Sequence, residues 1–125
     1  EIAISIFAEI ISVKNAKNKN VGYVDGMLAR IVEGNDRMVM ATIVDKKGSA
    51  PRGVGSKALF LRGVSFVGTI GGGKAEHDIM VKVGEILKSN DNIEPYLLHV
   101  DLTDDEASIE GMVCGGRIEV LLELV

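Results

Sequence analysis

The chain has 125 residues, of which 46% are apolar and 26% charged, with a net charge of −4 and 15 glycines. That length suits one domain, and the profile is too apolar for a disordered chain. Aromatics at 4%, no tryptophan and the acidic balance argue against nucleic acid as a partner, because stacking platforms and a basic footprint are both scarce.

In chain order, residues 2–13 carry a mixed apolar pattern whose Ile6, Phe7, Ile10, Ile11 spacing favours a helix. They contain no run long enough to cross a membrane, and Glu1 and Glu9 stand where a signal peptide would carry its basic leader. The Asn-rich stretch 14–20 reads as a loop. Residues 21–33 set Val21, Val24, Leu28, Ile31 and Val32 on one helical face, ended by Gly34, Asn35 and Asp36. Met38 to Val44 is a short apolar run between charges and predicts a buried strand. Residues 45–56 then read as a loop, 57–61 and 64–69 as a strand hairpin about Arg62 and Gly63, and 95–100 and 117–125 as two further strands.

Between the hairpin and the fourth strand runs Val67 to Met80, the stretch on which the chain is centred. Gly71, Gly72 and Gly73 follow an apolar run. Apolar residues at 75, 79, 83, 86 and 87 then predict a helix that ends near Lys88, Ser89 and Asn90. Strand, glycine turn and helix start together offer unpaired N–H groups and partial positive charge, suited to a phosphate or another anion. Glycine clusters also serve simply to turn a chain or let elements pack closely, and the cluster alone leaves both readings open. Thr103 to Glu106 matches a capping box for a short helix. The whole predicts one α/β (α+β) layered domain, a mixed sheet of about five strands covered by helices.

Several side chains are candidates for chemistry. Pro51 stiffens the loop Gly48 to Arg52, so Arg52 is presented from a defined place and can grip a phosphate or carboxylate; a solvated surface turn is the alternative. Gly68, Gly73 and Lys74 satisfy G-x-x-x-x-G-K, but Ala75 stands where a phosphate loop needs Ser or Thr for magnesium. A nucleotide-binding reading would take Asp101 as its acidic metal partner. Cys114, the single cysteine, excludes an internal disulfide and fits a reducing cytoplasm. With glycines at 111, 115 and 116 and Arg117 near, it is either an exposed thiol of lowered pKa or a small buried hydrophobe. His77 falls in the first turn of the glycine helix, within reach of a bound anion, while His99 alternates within a strand and is expected to be packed.

Three motifs occur in one order: "GSAPR" at 48–52, "GTIGGGKAE" at 68–76 and "GMVCGG" at 111–116, the last preceded by "DLTDDEASIE". This set resembles the N-terminal domain of the xanthine dehydrogenase accessory protein family, XdhC/CoxI, over roughly residues 22–125, with 1–20 as an N-terminal extension. The resemblance implies a cytoplasmic chaperone that binds the molybdenum cofactor as cargo. Such a chaperone assists sulfuration by a cysteine desulfurase and hands the cofactor to a molybdenum hydroxylase of the xanthine dehydrogenase type. It implies that Ser49 and Arg52, then Gly71, Gly72, Gly73, Lys74 and Glu76, then Cys114 and Gly115 contact the cofactor, with Cys114 a candidate molybdenum contact. It also implies a homo-oligomer, as a dimer, and no catalytic residue of the domain's own. Two departures stand out. Many relatives carry a C-terminal Rossmann-like domain beyond the point where this sequence stops, which points to a partner that supplies that half. Some relatives have a second cysteine where Lys74 stands here, so a two-cysteine site would need Cys114 from two chains. The alternatives are an enzyme of nucleotide or phosphate chemistry that uses Lys74, or a sulfur-transfer protein that uses Cys114.

Overall fold

The computed structural model describes residues 6, 26–34, 36–63, 65–103 and 115–125. The helix expected over 2–13 (Ile6 apart), the loop 14–20, the first turn expected at 21–25, the capping box beyond Thr103, and Cys114 lie outside the described residues. Seven elements follow one another: α1 (Met27–Glu33), β1 (Met38–Lys47), β2 (Lys57–Leu61), β3 (Phe66–Gly68), α2 (Gly73–Lys88), β4 (Tyr96–Asp101) and β5 (Arg117–Leu124). Among the described residues no helix is long and apolar enough to cross a membrane.

The five strands form one sheet in the order β3-β2-β1-β5-β4. Every pairing is antiparallel, which corrects the expectation of a mixed sheet. The reason lies in the single crossover. β3 and β4 run in the same direction, but α2 carries the chain between them to opposite edges, so no two parallel strands become neighbours. Antiparallel neighbours can be joined by short turns, and β2 and β3 are.

The sheet has helices on both faces. Val39, Ala41 and Ile43 of β1, Ala58 and Phe60 of β2, and Ile118, Val120 and Leu122 of β5 point to the α2 side. They meet Ala75, Ile79, Val83, Ile86 and Leu87, the apolar set anticipated from its helical spacing. Each such side chain contributes about 1.5–3 kcal/mol when fully removed from water, so this layer supplies most of the cohesion. On the other face Met27 of α1 packs with Met38, Met40 and Leu59. Here the expected helix face is corrected. Met27 is 0% exposed and Ile31 packs with it, whereas Leu28 and Val32 are 57% and 84% exposed. Residues 27 and 31 stand one above the other on a helix, and that stripe, not the 28–32 stripe, meets the sheet.

β1 runs three residues further than expected, through Asp45, Lys46 and Lys47, which pair with Glu119, Ile118 and Arg117. A β-bulge between Ile43 and Asp45 makes this extension polar. One extra residue flips the alternation, so Asp45 and Lys47 join Glu119 and Arg117 on the α1 side, where α1 does not reach. β3 is shorter than the expected 64–69 and forms an edge of three residues.

Candidate functional site

The register of β1 and β5 builds the site. Lys47 is opposite Arg117, so the loop leaving β1 and the loop entering β5 start side by side. A Cβ at Gly48 would lie 3.1 Å from the Gly115 carbonyl oxygen and 3.2 Å from the Gly116 Cα. A Cβ at Gly116 would fall into the Ser49 carbonyl and 3.0 Å from that of Lys47. Two backbones touch here, and only glycine lets them. The Leu102 N–H donates to the Gly116 carbonyl at 2.8 Å and ties the end of β4 into the same junction.

The glycine turn comes to this place from the opposite edge. Gly71 packs under the first loop: its missing Cβ would lie 3.2 Å from Pro51 Cβ and 3.7 Å from Arg52 Cγ. The turn is braced from inside. The Thr69 hydroxyl donates to Glu76 Oε1 at 2.6 Å, the Ile70 N–H donates to the same oxygen at 3.3 Å, and the Gly71 N–H donates to Thr69 Oγ1 at 3.1 Å. Glu76 therefore holds the turn, and its charge near the helix start is favourable to the dipole. Gly72 caps α2 with φ 78° and ψ −174°, a conformation open almost only to glycine, and no side chain caps the helix. Nothing lies within 4 Å of where a Cβ at Gly72 or Gly73 would be.

Between these loops lies a cavity of about 210 Å³. Ala50, Pro51, Ile70, Leu102 and Ile118 give it apolar walls, and Gly71, Gly72, Gly73, Lys74 and Ala75 form its helix-side rim. Motifs well separated along the chain thus share one pocket: "GSAPR" and "GGGK" line it directly, and Gly115 and Gly116 support it. Arg52 and Ser49 are exposed beside it, and Lys74 is exposed on its rim. Leu102 and Ile118 were not singled out in the sequence. Ile118 carried only the alternation of its strand, and Leu102 carried no signal, since its place depends on the β4–β5 register.

Other sequence candidates fall elsewhere. His77 is exposed on α2. His99 is exposed, which corrects the expectation that it packs: its odd position in β4 puts it on the face away from α2, where Nδ1 lies 3.3 Å from Glu119 Oε1. Asp101 accepts from both the N–H and the hydroxyl of Thr103, at 3.0 and 2.5 Å, and meets Arg117 Nε at 3.3 Å. The Thr103 hydrogen bonds, with the Arg117 guanidinium beside them, hold its carboxyl below the usual carboxylate range. Those residues, with Asp45, Lys47 and Glu119, line a polar depression of about 330 Å³. Opposite charges are paired within it. Among the described residues no three His, Cys, Asp or Glu side chains gather as a metal site. A larger apolar cleft, about 480 Å³, lies between α2 and the β2–β3 turn, with Phe60, Met80, Val83, Gly84 and Leu87 on its walls.

The phosphate-loop reading loses its frame. Its strand, β3, is a three-residue edge paired only antiparallel, and Ala75 is buried where the magnesium hydroxyl would be needed.

Comparison with known proteins places the same residues in one group. The model of the XdhC and CoxI family matches residues 31–101. An uncharacterized Escherichia coli protein, YqeB, is 34% identical over 96 residues, 77% of this chain and 17% of that protein. A Bacillus subtilis protein, named as one of the probable subunits of xanthine dehydrogenase, is 30% identical over 101 residues, 79% of this chain and 30% of its own length. A crystal structure described as a xanthine dehydrogenase from Bacillus halodurans has a TM-score of 0.65 at 31% identity, covering 79% of this chain and 29% of that one. The chain spans less than a third of each of these relatives.

Proposed function

The chain belongs to the XdhC and CoxI family, and from that premise we propose that it is an accessory domain that binds the molybdenum cofactor as cargo for a xanthine dehydrogenase-type molybdenum hydroxylase. The names of the Bacillus relatives support that client class. In this reading the domain receives the cofactor, holds it while a cysteine desulfurase supplies sulfur to the metal, and passes it on.

The observation that carries the proposal is the convergence of the glycine motifs on one pocket. The cargo is an anionic pterin with a phosphate, a dithiolene and a metal. The uncapped start of α2 suits the phosphate, because backbone N–H groups and the helix dipole both favour negative charge. The space over Gly72 and Gly73 lets an oxyanion approach the backbone closely. The apolar walls suit one face of a flat ring. At about 210 Å³ the cavity is smaller than the 300–1,000 Å³ usual for a complete ligand site, so it takes one end of the cargo while the remainder lies outward across Ser49 and Arg52. Gly71 and Lys74 complete the rim, and Glu76 acts through the turn that it braces. Cys114 and Gly115 enter the proposal from their motif, with the Cys114 thiolate as a soft ligand or sulfur relay at the metal.

Anaerobic loading followed by gel filtration tests it. The parent protein is expected to retain the cofactor, and Arg52→Ala, Gly72→Ala and Cys114→Ser to retain less. A folded parent that keeps none overturns the reading. Nucleotide hydrolysis without pterin retention would favour the enzyme alternative instead.

A further inference from the structure

The two edges of the sheet are unequal. β3 offers three residues, flanked by left-handed glycines, Gly63 at φ 95° and Gly68 at φ 93°. Short length and sharp turns are ways in which proteins blunt an edge against pairing. β4 offers six residues without an internal proline or glycine. Its hydrogen-bonding direction follows from Leu102, whose N–H donates to Gly116 on the β5 side. Backbone groups alternate along a strand, so Tyr96, Leu98 and Val100 turn theirs to β5 as well, and Leu97, His99 and Asp101 turn theirs outward. Among the described residues no strand pairs with that outer side. Beside it Tyr96 and Leu97 are 42% and 41% exposed.

We propose that β4 is the docking strand for a second copy of this chain, the two β4 strands running antiparallel about a two-fold axis at Leu98. Leu97 then lies opposite the partner's His99 and exchanges both backbone hydrogen bonds with it, using the outward groups. Side chains agree on both faces. On the α2 side Leu98 meets its own copy and Tyr96 meets the partner's Val100, an aromatic–β-branched pair of the favoured kind. On the other side Leu97 covers the imidazole of the partner's His99. Pro95, which has no N–H to give, ends the ladder. The rim of the seam is self-complementary in charge. Lys82 stands over the Tyr96 ring, 4.8 Å from its centroid, and pairs with Glu85 at 2.8 Å. A two-fold axis turns this mixed pair toward its own copy, so no face of one sign meets another. A second copy is favoured over an unrelated strand because the same six residues satisfy both sides of the seam. The pairing also closes: the blunt β3 edge on each protomer stops the ten strands from growing into a fibre. This inference stands apart from the cofactor reading.

The test is sedimentation velocity from low micromolar to near-millimolar concentration, with amide hydrogen exchange on the same unmodified protein. The expected result is a concentration-dependent dimer in which the His99 amide is protected and loses protection on dilution. Leu97→Lys, which puts a charge at the seam on an exposed position, is expected to weaken dimerisation at least tenfold while its circular dichroism matches that of the parent. A parent that stays monomeric throughout, or a dimer whose His99 amide exchanges freely, overturns the proposal. So does a folded Leu97→Lys that dimerises like the parent.

Discussion

Gly116 and Gly72 stand at the same pocket and play opposite parts. At Gly116 a side chain has nowhere to go, because the Ser49 and Lys47 carbonyls already occupy its place. At Gly72 a side chain would meet nothing within 4 Å, and the glycine is there for its backbone angles and the space above it. The first kind of glycine assembles the site and the second leaves room in it. A loss of function at either position therefore has a different cause, and stability separates the two.

The largest effect is expected at the packed position. Gly116→Ala should lower stability by about 3 kcal/mol or more, since backbone and not a flexible side chain must move; a denaturant midpoint equal to the parent's would break the comparison. Gly72→Ala should lower stability by about 1–3 kcal/mol through backbone strain. Its loss of cofactor retention should exceed what that instability explains, which retention measured well below the melting temperature would reveal. Glu76→Ala removes the acceptor of the Thr69 hydroxyl and the Ile70 N–H. About 1–2 kcal/mol of stability should go with it, read from the thermal midpoint, and Glu76→Gln should recover part. Gly84 is the control that sharpens the contrast. It lies inside α2 with nothing within 4 Å of a Cβ, and Gly84→Ala should stabilise by about 0.5–1 kcal/mol.

The smallest effect concerns acid. Asp101, near the junction of Leu102 with Gly116, has its carboxyl pKa depressed in the folded chain, chiefly by Thr103. A depressed folded value means that its contribution is complete above the unfolded carboxyl value near about 3.9 and fades as pH falls through the lower folded value. Asp101→Asn should therefore flatten the stability profile slightly at the acid end and change nothing of that slope near neutrality. A profile that steepens in the variant would contradict the assignment.

Much of this was legible in the residues. The α2 stripe at 75, 79, 83, 86 and 87 is the buried stripe, because a long amphipathic helix exposes its period without help from its neighbours. The strands at 57–61 and 117–124 also follow from apolar patterning. The packed face of α1 was hidden because seven residues with apolar side chains at 27, 28, 31 and 32 offer two stripes, and only the position of Met38, Met40 and Leu59 chooses between them. The extension of β1 was hidden because Asp45, Lys46 and Lys47 look like loop residues. It is β5, far along the chain, that pairs them.

By itself the sequence determined which segments become helix or strand, that a glycine turn precedes α2, and that three ordered motifs mark a family. Those are consequences of local periodicity, backbone freedom and residue order. The tertiary structure decided that the motifs meet, that Glu76 faces inward to brace the turn, and that His99 faces the solvent. It also decided which glycines are crowded and which are open. These depend on the β1–β5 register, the bulge at Val44 and the crossover of α2, and each is set by contacts between residues far apart in the chain. Such contacts leave no periodic trace in the stretches that they join.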